Sequence, residues 1–206
     1  MKPLAIDLFC GLGGWTEGLL AEGYCVVGFD IEQHVYADAR YPAQLVLQDV
    51  LTLHGKQFKD AALIVASPPC QAYSYRAMPW KRAKALPPPD NSLFEACFRI
   101  QREASEAAGR HIPMVVENVR GAQKWGGRSR WNYGSFHLWG DVPALKPAGT
   151  HAKQPTAGLA DSWFYGNYEG SARRWSSRSP QRKQWSALIA KIPLPLSRYI
   201  ASVYKP

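Results

Sequence analysis

Acidic residues almost vanish from the last part of this 206-residue chain. Residues 120–206 carry 3 Asp/Glu against 14 Lys/Arg, net +11, whereas residues 1–119 carry 13 against 11, net −2. The first part is a balanced, enzyme-like composition; the second is either a solvated basic face or a surface for polyanions. Long apolar runs are missing as well. No stretch of 18 apolar residues exists, which excludes a membrane-spanning helix, and the basic region lacks the apolar helical stripe of a membrane-surface segment. Cysteine is sparse: Cys10, Cys25, Cys70 and Cys97 form no C-x-x-C pair and have no histidine at ligand spacing. That argues against a zinc site and leaves free thiols as the expectation. The opening MKPLAIDLFCGLGGW reaches Asp7 and its glycines too soon for a signal peptide. What remains is 46% hydrophobic residues, enough for a core, with no internal repeat.

Short apolar runs alternate with helical patterns over the first two-thirds, predicting strand–helix–strand units and a parallel sheet. Strands are expected at Leu4–Phe9, Tyr24–Phe29, Ala62–Ala66 and Met114–Glu117, with a further apolar strand around SFHLW up to Trp139. Helices are expected over 15–22, Gln33–Arg40, about 92–108 with Asn91 or Ser92 as cap, and Leu196–Tyr204. Between Cys70 and the prolines Pro87–Pro89 runs YSYRAMPWKRAKAL, a stretch suited to no regular element. A loop of that length inside a compact domain is usually functional. The expected organisation is a domain over 1–149, a small irregular lobe over 150–183, and a returning C-terminal helix over 184–206.

Three strand ends carry chemistry. Asp7-Leu8-Phe9-Cys10-Gly11-Leu12-Gly13-Gly14 follows the first strand, and its glycines let the backbone turn sharply and approach a ligand. Asp30 and Glu32 end the second strand, where an acid can bind ribose hydroxyls. A nicotinamide site is weighed here, but G-x-G-x-x-G fails because position 16 is Thr. Ser67-Pro68-Pro69-Cys70-Gln71 ends the third strand, and open α/β sheets bind ligands at that edge. A cysteine stiffened by two prolines reads as a nucleophile or as a small buried apolar residue. Val115-Val116-Glu117-Asn118-Val119 carries another strand into a carboxylate, which needs a partner or a proton when buried.

Together DLFCGLGG, FDIE, Gln48-Asp49-Val50, SPPCQ and VVENV resemble the DNA cytosine-5 methyltransferase family, almost continuously over residues 4–119. The closing IPLPLSRYIASVY is similar to that family's last motif, with Ala190-Lys191 where the family usually has Gly-Asn. The resemblance implies a Rossmann-like, doubly wound, mostly parallel α/β sheet of the S-adenosylmethionine-dependent methyltransferase type, with a small C-terminal recognition lobe. It implies S-adenosyl-L-methionine held by Asp7, Phe9, Gly11, Leu12, Gly13 and Gly14. Asp30, Ile31, Glu32, Asp49, Val50 and Pro68 would complete that pocket, with Phe9 against adenine, Glu32 on the ribose and Asp49 on the adenine amine.

Cys70 would be the nucleophile and Glu117 the partner of the base N3, with Arg130 the best candidate for its O2. Pro69, Gln71, Ser74, Asn118 and Arg128 would meet the substrate, with Arg173 and Arg174 in the lobe. Arg76, Lys81, Arg82 and Lys84 would meet phosphates, and Trp163, Phe164, Tyr165 and Trp175 would stack on or replace a flipped base. The implied partner is double-stranded DNA, bound by a monomer in the cytoplasm of a bacterium or phage-infected host, with no metal and no membrane. The same chemistry on RNA and an inactive DNA-binding module are the alternatives.

Overall fold

The computed structural model describes residues 2–73, 85, 87–147 and 179–206. Glycine turns and short β-branched runs set its frame. β1 (Leu4–Leu8) leads through the glycine turn into α1 (Gly14–Ala21), then to β2 (Cys25–Asp30). A two-stranded hairpin, β3 (Val35–Tyr36) and β4 (Ala39–Arg40), precedes β5 (Gln44–Leu47). β6 (Leu63–Ala66), α2 (Ser92–Ala108) and β7 (Met114–Asn118) follow, then the single turn α3 (Gln123–Gly126). β8 (Trp131–Tyr133) and β9 (Phe136–Gly140) form a hairpin, and α4 (Pro180–Ala190) and α5 (Leu194–Val203) close the chain.

The main sheet runs β5-β2-β1-β6-β7-β9-β8. β5, β2, β1, β6 and β7 are parallel neighbours, while β9 joins β7 antiparallel and β8 joins β9 antiparallel. The chain winds outward from β1 to β5, then restarts beside β1 with β6. Strand order therefore reverses between β1 and β6, and the crevice at their carboxyl ends is where such sheets take ligands. β6, with the sequence LIVA, is buried throughout, as expected for a parallel strand covered on both faces. On one face Trp15, Leu19, Val65, Val115 and Leu138 pack with Leu196 and Ile200. On the other Ile64, Val116 and Trp139 pack with Phe94, Cys97 and Ile100 of α2.

One expectation is corrected. Residues 33–40 form the β3–β4 hairpin rather than a helix. Ala37 takes φ 49°, the left-handed region, and Pro42 disfavours helical backbone at Tyr41. Tyr41 is instead drawn inward, 8% exposed. Asn91 stands at the N-cap of α2, one of the two positions expected, but its side chain makes no cap bond: Asp90 Oδ1 accepts from Ser92 N at 2.8 Å, while Asn91 Oδ1 is taken by the Tyr73 hydroxyl at 2.7 Å. Of the lobe expected over 150–183, residues 150–178 lie outside the described residues, and Ser179 caps α4 by accepting from Arg182 N. Among the described residues no helix is long and apolar enough to cross a membrane.

Candidate active site

The carboxyl end of β1 is built under strain. Phe9 holds φ 57°, a conformation that costs a non-glycine residue energy and persists only where its surroundings enforce it. Here they do: Cys10 N donates to Phe29 O (3.1 Å) and Gly13 N to Cys10 O (2.7 Å). Asp30, at the end of β2, clamps the turn, with Oδ2 accepting from Gly11 N at 2.8 Å and Oδ1 from Ile31 N at 2.8 Å. Burial pushes this carboxyl up, but the His34 ring 3.7 Å away and hydrogen bonds from the Gly11 and Glu32 amides outweigh it, so it stays ionised below the usual range. Asp30 thus serves the backbone of the turn. Glu32 stands outside it, its side chain 64% exposed, next to Ile31, 74% exposed.

Gly14 lies where the chain's end returns: a methyl added there would stand 2.4 Å from Ile192 N. Lys191 fastens the same contact through Glu17 at 2.6 Å. The pair Ala190-Lys191 therefore delivers the last motif onto α1. Beneath the turn, Asp7 is wholly buried and accepts from Thr16 Oγ1 at 2.6 Å, with the Tyr41 hydroxyl 2.7 Å from Thr16. Asp7 Oδ1 has no hydrogen-bond partner among the described residues. Burial, the largest cause, pushes the Asp7 carboxyl up to about 8.

β6 and β7 supply the other half. Ser67 N donates to Leu8 O at 3.2 Å, so the SPPCQ turn leaves the sheet directly beside the glycine turn. Pro68 is buried, Pro69 exposed and Cys70 half-buried. Asn118, fully buried, braces this turn: its Nδ2 donates to Pro68 O at 2.9 Å while its Oδ1 accepts from Val119 N at 2.8 Å. Ala66 pairs with Val116, so Ser67 and Glu117 stand at adjoining positions one residue further along. Glu117 is 8% exposed. Burial pushes its carboxyl up to about 8, against a hydrogen bond from Ser67 that pulls it down. The arrangement thus sets a cysteine and a carboxylic acid that keeps its proton at neutral pH on adjacent strand ends.

The family model for C-5 cytosine-specific DNA methylases matches residues 4–128, more than half the chain. The chain belongs to that family. Solved structures similar to it include the S. pombe Dnmt2 methyltransferase, 18% identical over 60% of this chain and 36% of that one, with a TM-score of 0.40. Another is a candidate DNA modification methyltransferase encoded within an E. coli prophage, 22% identical over 61% and 34%, with a TM-score of 0.41. The chain thus spans about a third of the length of these two. No curated relative matches it in sequence.

The other expected site residues are placed as follows. Leu12 and Val50 are buried. Asp49 caps a short 3₁₀ turn through Leu51 N at 2.9 Å. Gln71, Arg128 and Arg130 are exposed. Arg130 N donates to Leu138 O, which starts edge strand β8, so its backbone stands two strands from β7 and Glu117. Ser74, Arg76, Lys81, Arg82, Lys84, Trp163, Phe164, Tyr165, Arg173, Arg174 and Trp175 lie outside the described residues. Among the described residues no group of three His, Cys, Asp or Glu is placed to hold a metal ion. Sequence reasoning missed Trp15, Thr16 and Tyr41. A polar Thr inside the first helical turn was the one available signal for the Asp7 network.

Two results are expected of this arrangement. Gly14→Ala forces a methyl into the Ile192 backbone; overpacking of this kind costs about 1–3 kcal/mol, read as a lowered Tm. The second concerns pH. Asp7 and Glu117 keep their protons in the fold up to about pH 8, but the unfolded chain releases them near 3.8 and 4.5. Between those limits the folded state binds more protons, so stability falls as pH rises. Melting curves between pH 5 and 8 should show Tm declining, and E117Q should flatten part of that slope.

Proposed function

We propose that this chain transfers a methyl group from S-adenosyl-L-methionine to C5 of cytosine in DNA, with Cys70 as nucleophile and Glu117 as acid. The observation that supports it most is the adjacency of the SPPCQ turn and a buried, proton-holding Glu117 at the strand-order reversal. The donor-side residues fit a nucleoside carrying a sulfonium. The Asp30-clamped turn brings backbone close to the crevice, Glu32 offers an exposed carboxylate for sugar hydroxyls, and Ile31 offers bare apolar surface for a flat ring. When bound, the donor supplies an electrophilic methyl group.

Cytosine C5 is too poor a nucleophile to take that methyl unaided. Addition of the Cys70 thiolate at C6 forms a carbon–sulfur bond and moves electron density to C5, while Glu117 gives its proton to N3 and so offsets the charge developing on the ring. Once C5 has been methylated, its remaining hydrogen leaves as a proton to a base. The electron pair then re-forms the C5–C6 double bond and expels the Cys70 thiolate, and N3 returns its proton to the Glu117 carboxylate. Asn118 fixes the Pro68 carbonyl and thereby the turn that aims Cys70. C6 is shielded within stacked duplex DNA, so the base must be extruded, at about a few kcal/mol. The +11 charge of residues 120–206 supports a polyanionic substrate.

Incubation with tritiated donor and duplex DNA, single strands or tRNA in parallel tests this reading. Nucleoside analysis should yield 5-methylcytosine from duplex DNA. Label confined to tRNA would move the same chemistry to RNA, and label on another atom would overturn it.

A further inference from the structure

The contact between α1 and the SPPCQ turn joins the two halves of the site. Trp15 Nε1 lies 3.0 Å from Ser67 Oγ, and Ser67 in turn stands beside Glu117, each one residue past the Ala66–Val116 pair, where its hydroxyl draws the Glu117 carboxyl down. Trp15 is 2% exposed, so its ring is fixed by core packing against Leu19, Val65 and Leu138. The direction of the chain follows from valence. An indole N–H only donates, so Ser67 Oγ is the acceptor there, and the serine's single proton is left for Glu117. A serine without the indole could rotate that proton elsewhere.

On the proposed methyl-transfer reading, the geometry points to Trp15 and Ser67 as positioning residues: a two-member relay from the donor-side helix that orients the Glu117 carboxyl and sets how readily it gives up its proton. Each link has an independent reason to be where it is. Trp15 follows Gly14 at the start of α1, so its place is tied to the donor turn. Ser67 follows β6 and is held by Leu8 O. Glu117 is one residue past the Ala66–Val116 pair.

The surroundings leave the hydroxyl as the chief polar influence. β9 presents Leu138 at the position paired with Glu117. The ionisable groups next along these elements are Cys70 beyond β6, His137 on β9, and Glu17 on α1, which is engaged by Lys191. Among the described residues no charged side chain contributes to the Glu117 shift: burial raises it and the Ser67 bond lowers it. Without that bond the acid holds its proton more tightly and the carboxyl is free to turn.

The test reads Glu117 directly. Protein labelled with ¹³C at the glutamate carboxyls is titrated by NMR without substrate, and E117Q assigns the resonance. Wild type should titrate near 8. S67A should titrate higher, by on the order of one pH unit; W15F should move the same way by less, and S67T should return to the wild-type midpoint. In the methylation assay S67A should lose on the order of tenfold in kcat, one hydrogen bond's worth, with donor KM unchanged and recovery in S67T. An S67A resonance at the wild-type midpoint, or a W15F midpoint unmoved while S67A shifts, overturns the relay. A wild-type protein that methylates no cytosine defeats the proposed reaction instead, while the titration still decides the relay.

Discussion

Cys70→Ala should reduce methyl transfer to background while leaving donor binding intact. The expected loss is on the order of 10⁶-fold, the scale on which removing a covalent nucleophile disables an enzyme whose remaining groups act only through it. On the proposed reading, the two functions that this variant distinguishes rest on different segments. Cys70 is on the turn after β6, half-buried, whereas the donor-side clamp is made by Asp30 and the backbone of Gly11 and Ile31. Substituting a smaller side chain at 70 leaves the Asn118–Pro68 brace untouched. Equilibrium dialysis with labelled donor should therefore match wild type even as turnover vanishes. Cys70→Ser should be almost as inactive, because an alcohol is scarcely ionised near neutral pH. Full turnover in the alanine variant would remove Cys70 from the mechanism.

Glu117→Gln should cost about 10²–10⁴-fold in kcat, the range for a positioned general acid. The amide keeps the shape and a donor N–H but has no proton to surrender to N3. The wild-type pH profile should carry the same information. With the carboxyl pushed up to about 8 by burial, the protonated form dominates below that pH, and activity should fall as pH rises through it. Glu117→Gln should abolish that alkaline limb. A limb that persists unchanged in the variant would assign it to another group.

Much of this site could be read from the sequence because turn chemistry and strand ends coincide there. LAIDL, LIVA and MVVEN are short apolar runs that end in Gly, Pro or a polar pair, and each became a central strand with its chemistry at the carboxyl end. β5 escaped notice because QLVL is brief and only partly buried at the sheet edge. Residues 33–40 misled because eight mixed residues define no period; the hairpin there follows from a left-handed Ala37 and from Tyr41 being drawn inward. The Trp15–Ser67 bond spans 52 residues, and no local pattern encodes a contact closed by packing α1 on the sheet. The depth of Asp7 was hidden for the same reason. Its motif placed it at the ligand, while Thr16 and Tyr41 hold it beneath the turn.

The seam between α1 and the segment after α4 has a consequence for biosynthesis. Lys191 and Glu17 are 174 residues apart, so the glycine turn emerges from the ribosome long before the backbone that covers it. Until Ile192, Leu196 and Ile200 arrive, Trp15 and Leu19 lack that side of their packing, and contacts of such sequence separation close slowly. A chain whose synthesis has not yet reached Ile192 thus holds its strand-end motifs without the backbone that packs against Gly14.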